Sequence, residues 1–198
     1  QISKDVGSNI NFRRVENVGP KVSHELIRSA AIAIALSMVA MLVYIWFRFE
    51  WQFSLASIIA LVHDVLITLG IFSILSLEVN LSIVAALLTI VGYSLNDTVV
   101  IFDRIRENLR KYSKIPIGEI SDISTNETLS RTVITSLTTL LALLSIYFFG
   151  GEILKGFSFA MIIGVIIGTY SSIFVATPIL NYSKVSQKSV LKGEDKNN

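Results

Sequence analysis

The chain has 198 residues, of which 52% are apolar and 16% charged, with two histidines, no cysteine and a formal net charge of +2. The apolar residues fall in long blocks with the charges between them, which is typical of a membrane protein with several spans and excludes a soluble globular core. The lack of cysteine excludes disulfides and thiol chemistry. The sequence has no basic face with interleaved aromatic residues, so it does not indicate nucleic-acid binding. His24 and His63 are far apart without a ligand spacing, so the sequence predicts no metal site and no cofactor.

The N-terminal segment, residues 1–24, is polar and mixed in charge. A weak alternation over residues 11–18 is typical of a strand, and the Gly19-Pro20 pair predicts a turn that ends it. The sequence starts at Gln1 with neither an initiator Met nor a signal peptide. We therefore expect a longer protein in which this segment is the end of a preceding domain.

Five apolar blocks follow, each of about 18–24 residues, which suffices to cross ~30 Å of hydrocarbon at ~1.5 Å per residue. The predicted transmembrane helices cover residues 27–47, 53–76, 81–102, 132–149 and 157–178. The longest connection, residues 103–131, joins the third and fourth. It is expected to continue the third helix to Lys111 and to break near Pro116. The sequence Ser-Thr-Asn-Glu at residues 124–127 fits a capping box that opens the fourth helix.

Loop charges orient the predicted spans. The 103–131 connection contains six Lys or Arg residues and the tail, residues 181–198, contains four, whereas the short turns on the other side contain only Lys155. The positive-inside rule therefore puts the long connection and the tail in the cytoplasm. Five spans place the chain ends on opposite sides, so residues 1–24 lie outside. The polar tail is expected to be disordered.

Asp97 is a carboxylate in an apolar helix, ~24 Å along the axis from Leu81 and so in the cytoplasmic third of the third span. A charge inside the bilayer costs roughly 2.5–3.5 kcal/mol on insertion scales, so Asp97 requires a partner or a function. Arg104 follows on the same face, and Arg131 enters the membrane at a similar depth at the start of the fourth helix. Asp97 can form a static ion pair with Arg131. Alternatively it binds and releases a proton, because burial favours the neutral form of a carboxylate whereas a nearby arginine favours the charged form.

Asp64 lies near the middle of the second span, beside His63. Either it is neutral, with His63 or a helix hydroxyl as its partner, or it is a second relay residue. Asn96, next to Asp97, is the other candidate for a secondary relay role. The fourth span has a hydroxyl-rich face that either packs against another helix or lines a path for water and protons. Its residues are Thr132, Thr135, Ser136, Thr138 and Thr139.

Small residues recur at every fourth position of the fifth span. They are Gly156, Ala160, Gly164, Gly168, Ser172 and Ala176. Such a stripe lets two helices approach closely, so Gly164 and Gly168 are predicted to be packing residues, and a smooth interface of this kind also permits sliding. The basic stretch 104–111 either anchors the cytoplasmic end of the third helix or also contacts anionic lipid.

Enzyme chemistry has no support in the sequence. It contains no nucleophile–base pair, phosphate-binding loop or metal constellation. Asp64 and Asp97 lie at different depths on different helices, which argues against an aspartyl pair. We therefore expect a transport subunit and not an enzyme.

Seven sequence motifs carry a resemblance to one family. They are VGP (18–20), FRFEW (47–51), ALVHDV (60–65), VGYSLND (91–97), DRIREN (103–108), LSRTVITS (129–136) and FGG (149–151). In order and spacing they resemble the SecF family, a subunit family of the bacterial Sec translocon accessory complex that is related to the RND exporters. The resemblance covers residues 12–182.

The resemblance implies an all-α polytopic membrane protein in which this chain supplies spans two to six of a six-helix RND/SecF-type bundle. Residues 1–24 would be the remnant of an α+β periplasmic domain. The implied function is to promote preprotein translocation across the bacterial inner membrane, with SecD, by means of the proton motive force. The family's relay aspartate and arginine fall on Asp97 and Arg131.

The implied partners are SecD, the SecYEG channel, the translocating preprotein, YajC, YidC and membrane lipids. The first span and most of the periplasmic domain of the family have no counterpart in this sequence. Two other functions stay open: an RND-type proton-driven exporter of small molecules or lipids, and a purely structural subunit of the translocon.

Overall fold

The computed structural model describes residues 20–112 and 115–183, and within these ranges every regular element is a helix. The elements are α1 (Pro20–Arg48), α2 (Trp51–Ile74), α3 (Leu81–Lys111), α4 (Ile117–Phe149), α5 (Glu152–Ser171), a π-helical turn (Ser172–Ala176) and α6 (Thr177–Tyr182). Five segments are long and apolar enough to cross a membrane, and the fifth, Glu152–Tyr182, runs through α5, the π-helical turn and α6. The prediction of an all-α polytopic membrane protein is confirmed.

The short turns between the spans have local causes. The side chain of Asn80 caps α3 by accepting a hydrogen bond of 3.2 Å from the backbone N–H of Ile83, which satisfies one of the free donors of the first turn. Between α4 and α5, Gly151 has a φ of 77°, in the left-handed region that favours glycine. The tightness of these turns makes consecutive helices antiparallel neighbours.

The core of the bundle surrounds α3, the most buried of the spans. Toward the C-terminal end of α3, Phe102 is fully buried and packs edge-to-face on Phe53 of α2 at 5.2 Å between ring centroids. Toward the N-terminal end of α3, a second apolar cluster includes Ile90 and Phe72. Buried polar residues from the middle of α2 and α3 and from the C-terminal end of α5 meet one another in this bundle.

The small-residue stripe of α5 faces α3. A Cβ atom added to Gly156 would lie 3.3 Å from Ile83, and one added to Gly168 would lie 2.9 Å from the Cβ of Ser94. A Cβ on Gly164 would overlap the side chain of Ile90. The two helix backbones therefore approach as closely as glycine permits.

The predicted capping box at residues 124–127 is wrong, because α4 begins at Ile117 and these residues lie inside it. The reason is tertiary. Ile120 is fully buried, and the side-chain amide of Asn108 on α3 donates a hydrogen bond of 2.9 Å to the Ser124 hydroxyl. Packing against α3 thus holds these polar turns in a helix that the apolar pattern does not reveal.

The predicted ends of the first and last spans also change. The helix α1 already begins at Pro20, a residue suited to the first helical position. The last span extends to Tyr182 through the π-helical turn. The strand predicted for residues 11–18 lies outside the described residues, as does the tail from residue 184.

Candidate functional site

Asp64 is the centre of a hydrogen-bonded cluster that joins three helices. It is completely buried on α2. Its Oδ2 accepts hydrogen bonds from the hydroxyls of Ser94 on α3, at 2.5 Å, and of Ser171 on α5, at 2.8 Å. Its Oδ1 lies 3.0 Å from Nδ1 of His63. Both oxygens of this carboxylate thus have partners, as a buried charged or polar group requires.

A second pair of hydroxyls continues this cluster by one turn. The hydroxyls of Thr98 on α3 and Ser172 lie 2.8 Å apart, and both residues are buried. Ser172 begins the π-helical turn, whose carbonyl at Ser172 accepts a hydrogen bond of 3.0 Å from the hydroxyl of Thr177. Such turns inside α-helices occur frequently at functional sites. Here the turn lies beside Thr98, the residue that directly follows Asp97 on α3.

Asp97 has a different environment. Its side chain is buried on α3, yet its Oδ2 accepts no hydrogen bond from the residues that the structure describes. The hydroxyl of Ser136 and the positive charge of Arg131, both on α4, act on the carboxylate. Ser136 in turn lies 2.7 Å from the hydroxyl of Thr169 on α5. Asp97 is therefore held by fewer fixed contacts than Asp64.

Arg131 and Asn96 lie at the surface of the described bundle. Arg131 acts on Asp97 through a Coulomb attraction, and no ion pair within 4 Å joins the two among residues 20–112 and 115–183. Asn96 is exposed and makes no hydrogen bond to Asp64 or Asp97 in this part of the chain. The structure thus brings Arg131 toward Asp97 but leaves Asn96 apart from both carboxylates.

Arg104 belongs to a separate cluster at the C-terminal end of α3. It pairs with Glu107 at 2.5 Å and with Glu127 of α4 at 2.6 Å. The side-chain amide of Asn108 reaches the same Glu127 carboxylate at 2.7 Å. Arg104 therefore joins α3 to α4 and is not the partner of Asp97, although the two share a helix face.

A metal site is not formed by the described residues, among which no three His, Cys, Asp or Glu side chains gather. The hydroxyl partners Ser94 and Ser171 were missed by sequence reasoning, which foresaw only that His63 or some helix hydroxyl would face Asp64. Ser94 lies within the VGYSLND motif, so its position was visible. Its role depends on how α2, α3 and α5 rotate against one another, which the sequence does not show.

Comparison with known proteins gives one consistent result. Residues 1–186 match the family model described as protein export membrane protein SecD/SecF, C-terminal. The chain is 54% identical to the protein translocase subunit SecF of Cereibacter sphaeroides, over 93% of this chain and 57% of that protein. It is 56% identical to the SecF subunit of Rickettsia bellii, over 87% of this chain and 57% of that protein. The chain thus spans a little over half the length of these curated relatives.

Two crystal structures share the fold. One is SecDF, a translocon-associated membrane protein from Thermus thermophilus, with a TM-score of 0.79 and 48% identity over 84% of this chain and 23% of that one. The other is SecDF in a super-membrane-facing form, with a TM-score of 0.75 and 43% identity over 91% of this chain and 23% of that one. At such identities the likeness extends to sequence as well as fold.

Proposed function

Because the chain belongs to the SecD/SecF family of protein export membrane proteins, we propose that it forms the membrane bundle of a SecF-type translocase subunit. In this role it acts with SecD, beside the SecYEG channel, to promote preprotein translocation across the bacterial inner membrane. The driving force is the proton motive force, and the subunit is a transport protein and not an enzyme. The basic segment 103–131 and the tail face the cytoplasm, in keeping with the positive-inside rule.

The contrast between the two buried carboxylates carries the proposal. Both oxygens of Asp64 have fixed partners, whereas Oδ2 of Asp97 has none among the described residues. A buried ionised oxygen without hydrogen bonds is costly, and binding a proton relieves that cost. Asp97 is therefore the carboxylate whose charge can change while the bundle stays folded. We assign it the role of proton carrier.

Arg131 is the counter-charge in this cycle. When Asp97 is ionised, the guanidinium of Arg131 attracts it and holds α3 and α4 together. When Asp97 binds a proton from the periplasmic side, this attraction is lost and the two helices can shift. Release of the proton to the cytoplasm restores the attraction. One charge moved across 100 mV supplies ~2.3 kcal/mol, enough for a few protons to drive a modest domain motion.

The exposed face of α4 supports SecD as the partner. Apolar side chains along this helix, including Val133, Leu137 and Leu141, are 50–57% exposed. Arg131 lies near the middle of the same helix, two residues before Val133. A helix of SecD packed there would cover Arg131 and exclude water from its surroundings, which strengthens the attraction to Asp97.

The test is proton-gradient-dependent preprotein export in vesicles that contain SecD and the full-length SecF subunit. We expect Asp97→Asn, which keeps the shape of the side chain but cannot carry a proton, to abolish the part of export that depends on the gradient. Arg131→Gln should have the same effect. The matched control is Glu78→Gln, the same chemical change in the exposed turn between α2 and α3.

Two outcomes would overturn the proposal. If Asp97→Asn and Arg131→Gln assemble with SecD and export at the normal level, the subunit has only a structural role. If the full-length subunit does not copurify with SecD or SecYEG but exports small molecules or lipids, the chain is an exporter of the RND type.

A further inference from the structure

We propose that Asp64 is a positioning residue that fixes α2, α3 and α5 around the π-helical turn and so holds the Asp97 turn of α3 in its working position. This role deepens the proposed function and rests on it for the activity measurement. It assigns a use to a buried carboxylate that the proton cycle of Asp97 does not involve.

The geometry of the junction carries the first step. Asp64 Oδ2 binds Ser94 of α3 at 2.5 Å and Ser171 of α5 at 2.8 Å, so one atom ties both helices to α2. Gly168, one turn before Ser171, has no side chain, and a Cβ there would lie 2.9 Å from the Cβ of Ser94. The close approach of α5 to α3 is therefore what brings both hydroxyls to the same carboxylate oxygen.

The second step connects this junction to Asp97. Ser94 precedes Asp97 by one helical turn and lies on the same buried face of α3. Thr98, directly after Asp97, lies 2.8 Å from the hydroxyl of Ser172, the first residue of the π-helical turn. The residues on either side of Asp97 along the helix face are thus both held by hydrogen bonds to α5 and to the turn that follows it.

The contacts favour positioning over a second proton relay. The Ser94 hydroxyl donates its single hydrogen to Asp64. The hydroxyls of Thr98 and Ser172 contact the backbone carbonyl of Ser94, at 3.2 and 3.4 Å, and not its hydroxyl. Among the described residues, no chain of side-chain hydroxyls therefore leads from Asp64 to Asp97. A carboxylate that serves as a fixed acceptor for two helices is suited to hold them in register.

Two kinds of variant separate the roles in the full-length subunit with SecD. Asp64→Ala removes the acceptor that the two serine hydroxyls share and leaves Ser171 only the Gly168 carbonyl of its own helix. We therefore expect about tenfold slower gradient-dependent export, which corresponds to about 1.4 kcal/mol. Asp64→Asn keeps one carbonyl oxygen at the site, and export should stay within about twofold of wild type, with an unchanged dependence on pH. The double variant Ser94→Ala/Ser171→Ala should resemble Asp64→Ala.

Hydrogen–deuterium exchange of the purified complex gives a readout that does not depend on export. Backbone amides of residues 168–177 should exchange faster in Asp64→Ala and in the double serine variant, because Ser171, directly before the π-helical turn, loses its hydrogen bond to α2. They should stay protected in Asp97→Asn. Thr89→Ala is the control, because among the described residues the Thr89 hydroxyl bonds only to the Ala85 carbonyl of its own helix.

The outcomes distinguish this inference from the proposed function. If Asp64→Asn exports as poorly as Asp97→Asn while residues 168–177 stay protected, Asp64 is a proton carrier and the inference is overturned. If Asp64→Ala exports normally and residues 168–177 stay protected, Asp64 has no positioning role. If Asp97→Asn exports normally, the proposed function fails, and the exchange of residues 168–177 still decides the role of Asp64.

Discussion

Substitution of Gly164 by alanine tests how closely α5 approaches α3. A Cβ atom on Gly164 would overlap Cγ1, Cδ1 and Cγ2 of Ile90 on α3. Ile90 is only 1% exposed and belongs to the apolar cluster that also contains Leu87 and Val165. Its side chain therefore has little free space into which to move. The added methyl group must push α5 and α3 apart or force Ile90 out of its preferred rotamer.

The size of the effect follows from two opposing contributions. Overpacking of this kind costs about 1–3 kcal/mol. Replacing glycine by alanine inside a helix contributes about 1 kcal/mol in the stabilising direction. Gly70 of α2 provides the control, because a Cβ there has no neighbour within 4 Å. The difference in stability between Gly164→Ala and Gly70→Ala isolates the contact and should be about 1–3 kcal/mol.

Thermal unfolding of the purified complex in detergent is the measurement. We expect a lower midpoint for Gly164→Ala than for Gly70→Ala. The double variant Gly164→Ala/Ile90→Ala should be less destabilised than the sum of its single changes, because the second substitution removes the atoms that the first one meets. If Gly164→Ala raised the midpoint as much as Gly70→Ala, the close packing of α5 on α3 would be refuted.

Two further predictions concern the end of the bundle where α2 begins. Phe102→Ala should lower the free energy of unfolding by about 3–5 kcal/mol, because its ring is fully buried against Phe53; Phe149→Ala, with a ring that is 89% exposed, should have little effect in the same unfolding assay. Glu50 and Arg106 form an ion pair of 3.6 Å with both side chains 10% exposed, so Glu50→Gln should destabilise the bundle by at most about 3 kcal/mol, because the buried guanidinium loses one of the groups that it interacts with. The double variant Glu50→Gln/Arg106→Met should recover part of that loss, and an additive result would contradict a direct interaction.

The spans could be predicted because the insertion of a helix into a membrane depends on its local amino-acid composition. A helix in hydrocarbon satisfies its own backbone hydrogen bonds, so an apolar run of sufficient length is by itself enough to identify a span. Asp97 was visible for the same reason, since a carboxylate in such a run is costly and conspicuous. The start of α4 at Ile117 was not visible, because its first turns are polar and are held in a helix by contacts with Asn108 of α3.

The arginine neighbours of Asp97 also show what could and could not be predicted from the sequence. Counting positions along the predicted spans placed Asp97 and Arg131 at a similar depth in the membrane. In the structure the charge of Arg131 acts on Asp97. Arg104 was predicted to share a helix face with Asp97, yet it pairs with Glu107 and Glu127. An arginine side chain is long and flexible, so a shared face does not decide which carboxylate it reaches.

The sequence by itself determined the helical class, the number of spans and the presence of two intramembrane carboxylates, because each depends on composition along one helix. Only the tertiary structure decided that Ser94 and Ser171 bind Asp64 and that Asp97 keeps an oxygen without a hydrogen bond among the described residues. These features depend on the rotation and separation of three helices. The separation of α3 and α5 is set by contacts such as that of the Ile90 side chain with the backbone at Gly164, which join residues far apart in the chain.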